Sequence, residues 1–131
     1  MQQAADHEVF KYPIYKFSMK RIEAIVPADR LPDVATALEG KVGGFLAWEG
    51  KGQGSAARPT IRTGRGTGTI QAPFNRVASI VTIVDDNAVD QAINIISGAA
   101  HTGKTGDGVI FVSAVESATN IATKKQGSAA L

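Results

Sequence analysis

The chain has 131 residues, of which 44% are hydrophobic and 20% charged, and its formal net charge is +2. One domain fits that length, and so small a charge gives no ground for nucleic-acid binding by the chain as a whole. Cysteine is absent, which excludes disulfides, thiol catalysis and cysteine-held zinc. No apolar run approaches the ~18 residues of a membrane span, and the N-terminus lacks the form of a signal peptide, so a cytoplasmic protein without membrane insertion is expected.

Residues 1–18 are an N-terminal extension that begins polar and ends in Tyr12, Ile14, Tyr15 and Phe17; a docking tail and a disordered leader both fit it. A domain over 19–131 follows. "KRIEAIV" alternates Ile22, Ala24 and Val26 against Arg21, Glu23 and Ile25, which predicts a strand closed by Pro27. Leu31, Val34, Ala35 and Leu38 then fall at helical spacing, with Asp29 as the expected N-cap and Gly40 as the stop. A second strand is expected from Phe45 to about Gly50.

Residues 51–76 break all periodicity. They contain Lys51, Arg58, Arg62, Arg65 and Arg76 and no acidic residue. A loop this long inside a small domain is uncommon unless it has a function or is disordered. "VASIVTIV" predicts a third strand, apolar on both sides. Asp85 or Asp86 is expected to cap a helix running to about Ala100, with Val89, Ile93 and Ile96 as its stripe. "VIFVSAV", from Val109, predicts a fourth strand, and 116–131 reads as a loosely held tail. The order β-α-β-loop-β-α-β predicts an α+β, ferredoxin-like double βαβ fold with both helices on one sheet face. The other face should bury against further subunits.

The stretch from Gly98 to Thr105 matches the phosphate-loop pattern G-x-x-x-x-G-K-[ST]. Such a loop follows a strand and opens a helix; here a helix ends and a strand begins, so the match fails. Two readings of the loop stay open. Backbone N–H groups near Gly103, Gly106 and Gly108, with Lys104, form an anion nest, or the glycines only permit a tight turn.

"TGKTGDGVIFV" resembles the T-G-K-x-G-D-G-K-I-F-V stretch of the PII signal-transduction family. "MKRIEAIV" is similar to that family's first strand, "EGKGQG" to the base of its T-loop, and "GSAAL" to its C-terminus. The resemblance covers about 19–131 in matching order. It implies a ferredoxin-like homotrimer that binds adenine nucleotides in clefts between subunits. It also implies a mobile T-loop, about 51–76, that contacts a transporter or enzyme. Carried over, Thr102, Gly103, Lys104, Thr105, Gly106, Asp107 and Gly108 of the B-loop (about 101–109) hold phosphates. Gly52, Gln53 and Gly54 line the same cleft, and Ile25 and Ile83 pack near adenine.

The departures from the family pattern shape the expectation. Val109 replaces the lysine after G-D-G, and two phosphate-reaching arginines fall on Asn120 and Ala122. Each lost charge-assisted bond costs ~1.5–3 kcal/mol, so ADP or AMP should bind better than ATP. Ala56 replaces a glutamine that helps bind Mg²⁺ and 2-oxoglutarate, and Val77 a lysine that pairs with 2-oxoglutarate. The loop has no tyrosine for uridylylation. A divergent, carbon-linked PII-like protein is expected, answering to adenylates and to bicarbonate through Arg58, Arg62, Arg65 and Arg76, as in the carboxysome- or bicarbonate-transport-associated branch. No metal is required in this reading. The alternatives are a nitrogen-regulatory PII protein sensing ATP/ADP and 2-oxoglutarate, and a nucleic-acid-binding module using the Arg/Gly-rich loop. The latter has one aromatic, Phe74, on which to stack a base. An enzyme is not expected, because His7 and His101 stand far apart and no nucleophile–base pair is evident.

Overall fold

The computed structural model describes residues 18–64, 66 and 68–131; the expected N-terminal extension up to residue 17, and Arg65, lie outside them. Strand β1 (Met19–Pro27) forms as its alternation predicts. Ile22, Ala24 and Val26 are buried, and the residues between them are partly covered. A single 3₁₀ turn, Ala28–Arg30, leads into α1 (Leu31–Leu38), whose Val34 and Leu38 are fully buried. The sequence expectation that Asp29 caps this helix does not hold. The N-cap is Arg30, without a side-chain cap bond, because the 3₁₀ turn carries Asp29 past the capping position. Likewise neither Asp85 nor Asp86 caps α2 (Val89–Ala100); a second 3₁₀ turn, Asp86–Ala88, intervenes.

Strands β2 (Leu46–Gly52), β5 (Asn75–Asp85) and β6 (Val109–Val115) join β1 in one antiparallel sheet of order β2-β5-β1-β6. That order, with two helices packed together across one face, is the ferredoxin-like double βαβ fold. The core sits between sheet and helices. Ile22, Ala24, Val26, Ala78, Ile80 and Val84 meet Val34, Leu38, Ala92, Ile96 and Ala100. Each large aliphatic buried there contributes roughly 1.5–3 kcal/mol. The alanines let the helix backbone approach the sheet.

Two segments are more ordered than their sequence suggests. Within the long loop, β3 (Thr60–Arg62) and β4 (Thr69–Gln71) pair as a hairpin with Ile61 opposite Ile70. Three-residue strands are too short to show a period. The C-terminal segment is a staple built on Asn120. Its side-chain carbonyl oxygen accepts from the amides of Ala122 and Thr123, its side-chain N–H₂ donates to the Ala130 carbonyl, and a 3₁₀ turn closes at Gly127–Ala130.

The sheet face away from the helices is open. By register it carries Leu46, Trp48, Val81, Ile83, Val109 and Phe111, of which Leu46 is 65% and Phe111 55% exposed. In its middle the Glu23 carboxylate accepts from Ser79 Oγ at 2.7 Å and from Arg21 at 3.0 Å. These bonds, Ser79 first, hold the Glu23 carboxyl below its usual range.

Candidate functional site

The B-loop sits between α2 and β6 and is organised by its own aspartate. The Asp107 carboxylate accepts from Thr102 Oγ1 at 2.5 Å, from the Thr102 amide at 2.6 Å and from the Gly103 amide at 2.9 Å. These bonds, those from the Thr102 hydroxyl and amide foremost, hold its carboxyl down at about 2. Two of the amides expected to face a phosphate are therefore engaged by Asp107. The loop is pre-shaped by an internal anion, and Lys104 is left to supply the free charge.

Glycine is required twice for close approach. Gly108, at φ +122°, lies so near the β1 backbone that a Cβ would run into the carbonyl oxygen of Ile25. Gly106, at φ +102°, leaves no room for a Cβ either, which would sit 2.6 Å from Ala56 Cβ. The B-loop thus rests on β1 at one side and against the T-loop base at the other.

The T-loop base is clasped to its own return strand. Gln53 Nε2 donates to the Pro73 carbonyl at 2.9 Å. Arg58 donates to the same carbonyl at 3.3 Å and to Gln71 Oε1 at 2.8 Å, and Asn75 Nδ2 reaches the Ala56 carbonyl at 3.5 Å. Between the T-loop base, the B-loop and the end of β1 lies a cleft of about 690 Å³.

Of the residues expected at a nucleotide site, Ile25, Gly52, Gln53, Gly54, Thr102, Lys104, Thr105, Gly106, Asp107 and Gly108 line this cleft. Gly103 belongs to the loop but not to the wall. Ile83 stands opposite Arg21 on the open sheet face, away from it. The departures Ala56, Val77 and Val109 also line the cleft, and make its wall apolar where the family pattern is polar or charged. Asn120 and Ala122 belong to the C-terminal staple.

Among the described residues the loop arginines do not converge. Arg76 lines the cleft but pairs with Glu49 at 2.5 Å, Arg58 is spent in the T-loop clasp, and Arg62 is exposed on β3. Sequence reading missed Asp29 and Arg30, which enter the wall from the turn after β1. A charged pair directly past a strand that ends beside a glycine-rich loop was the available signal. Among the described residues no cluster of His, Asp or Glu could hold a metal ion, and no helix is long and apolar enough to cross a membrane.

A family model described as nitrogen regulatory protein P-II matches residues 19–125. The chain is 38% identical over 114 residues to the nitrogen regulatory protein P-II of Azospirillum brasilense, covering 86% of this chain and all of that protein. It is 39% identical over 111 residues to that of Bradyrhizobium diazoefficiens, covering 83% and 96%. Among solved structures it is similar to Arabidopsis thaliana PII bound to citrate, with a TM-score of 0.68 and 26% identity over 88% of this chain and 94% of that one. With the fold, the B-loop and the T-loop base in the positions described, the chain belongs to the PII family of signalling proteins.

Proposed function

We propose that this chain is a non-enzymatic, cytoplasmic regulator that assembles as a homotrimer, binds ADP or AMP in the cleft in preference to ATP, and signals to a transporter or enzyme through its T-loop. Lys104 carries the reading. It lies in the cleft on a preformed loop, and the ion pairs among the described residues, Lys20–Asp86, Arg21–Glu23, Arg30–Asp33 and Arg76–Glu49, leave its ammonium without a carboxylate. A single uncommitted cation suits a short phosphate chain. Val109 adds no second charge beside it, and the staple role of Asn120 gives that residue another task.

The open face, with Leu46 and Trp48 exposed on β2 and Phe111 on β6, supports association with further copies, since large exposed apolar side chains on an uncovered sheet face mark an interaction surface. The exposed Ile61–Ile70 pair and Arg62 of the hairpin give the T-loop an apolar and basic surface suited to an acidic-rimmed partner. Linkage to bicarbonate rests on the apolar wall at Ala56 and Val77, which offers 2-oxoglutarate no amide or ammonium, and on Arg76, the one described T-loop arginine that lines the cleft.

The names of the curated relatives favour a second reading, nitrogen regulation with ATP and 2-oxoglutarate as effectors. Calorimetric titration of ADP and ATP with and without bicarbonate, on the wild type and on Val109→Lys, tests the choice. ADP binding that changes with bicarbonate, and ATP affinity that rises selectively in V109K, support the carbon-linked reading. Indifference to both overturns it.

A further inference from the structure

Among the described residues five ionisable side chains line the cleft: Asp29, Arg30, Arg76, Lys104 and Asp107. Three have partners within the fold. Arg30 pairs with Asp33 at 3.2 Å, Arg76 with Glu49 at 2.5 Å, and Asp107 accepts the three B-loop donors. Lys104 and Asp29 remain, one cation and one anion, both exposed and both without a side-chain hydrogen bond or ion pair among the described residues. The uncommitted charge of the cleft is a dipole.

Asp29 has no structural task to explain it. It lies in the 3₁₀ turn ahead of α1 and caps nothing. Its distance from the B-loop is bounded by the chain. Gly108 packs against the Ile25 carbonyl and Val26 Cα, and three residues from Val26 to Asp29 span at most ~11 Å. Both side chains line the same cleft of small-molecule size, so one ligand can meet both ends. It must carry an anion for Lys104 and hydrogen-bond donors for Asp29, because an ionised carboxylate only accepts. A nucleotide has both: phosphates at one end and the ribose 2′- and 3′-hydroxyls about one sugar away. A carboxylate's two oxygens match two adjacent hydroxyls, a pairing well known for acidic residues at ribose. The base, farther out, meets apolar wall such as Ile25, Val77 and Val109.

We propose that Asp29 accepts hydrogen bonds from the ribose cis-diol of the nucleotide whose phosphates lie at Lys104, and so selects ribonucleotides over deoxyribonucleotides. The assignment rests on the nucleotide reading above. Its test is a comparison of ADP with 2′-deoxy-ADP by calorimetry, on wild type and Asp29→Ala. Removing a negative charge can alter the attraction for phosphate in general, but that change cancels in the ratio of the two ligands. Wild type should bind ADP at least tenfold more tightly than 2′-deoxy-ADP, and D29A should bring the two within about twofold. A thermal melt of D29A matching wild type excludes misfolding. ADP and 2′-deoxy-ADP binding equally to wild type, or D29A keeping the preference, overturns the role of Asp29 while leaving nucleotide binding intact. Failure of wild type to bind either nucleotide overturns the nucleotide reading and this assignment with it.

Discussion

Replacing Gly108 with alanine tests how the B-loop is held. At φ +122° this position lies in a region that is nearly glycine-only, and forcing an L-residue there costs about 1–3 kcal/mol. The new Cβ also meets the Ile25 carbonyl oxygen and lies 3.1 Å from Val26 Cα. The obstacle is backbone of a central strand and not the end of a flexible side chain, so relief requires moving β6 or β1 at a further cost of about 1–3 kcal/mol. Taken together, G108A should destabilise by roughly 2–6 kcal/mol, and for a domain of this size that lowers Tm by roughly 6–30 °C. Gly98→Ala is the internal control. It lies inside α2, where an added Cβ meets nothing within 4 Å, and exchanging helical glycine for alanine stabilises by about 0.5–1 kcal/mol, a rise of a few degrees. Both melts are run by circular dichroism at one protein concentration, because assembly makes Tm concentration-dependent. A G108A protein that melts with wild type or above it would refute the close approach of loop and strand.

Lys104→Ala should weaken ADP binding at least tenfold and reduce its salt dependence, as loss of a charge-assisted contact worth ~1.5–3 kcal/mol requires; calorimetry at two salt concentrations reads both. Because the folded-state pKa of Asp107 is lowered to about 2 from 3.8, its contribution to loop order is complete above the unfolded value and is lost as pH falls from about 4 through 2. The Thr102 and Gly103 amide resonances of the folded protein should titrate with a midpoint near pH 2, and Asp107→Asn should abolish the movement. Trp48→Glu, which places a charge on the open face where Trp48 is half exposed, should shift the protein to a smaller species by light scattering coupled to gel filtration, while its circular dichroism stays that of wild type.

The fold was legible where a physical period runs long enough to read. The alternation of Ile22, Ala24 and Val26 and the helical spacing of Val34 and Leu38 located β1 and α1 and identified their buried faces. The glycines of the B-loop marked the place of the cleft. Side-chain commitments were not legible. Asp29 occupies a position typical of a helix cap and is displaced from that role by a 3₁₀ turn that no local spacing announces. Arg58 and Arg76 read as free loop charge, yet their partners Gln71 and Glu49 lie 13 and 27 residues away and meet them only through the hairpin and the β2–β5 pairing. Asp107 read as one phosphate contact among several. Its work on Thr102 and Gly103 depends on how the loop bends back, which the order of residue types does not disclose.

The central claim is that the cleft holds an adenine nucleotide of short phosphate chain through Lys104, without the charges that a triphosphate and 2-oxoglutarate require. Titrating the purified chain with AMP, ADP and ATP by calorimetry, and with ATP again in the presence of Mg²⁺ and 2-oxoglutarate, tests it most directly. ADP or AMP should bind more tightly than ATP, with no gain from Mg²⁺ and 2-oxoglutarate. ATP binding that exceeds ADP binding and depends on 2-oxoglutarate would contradict the claim.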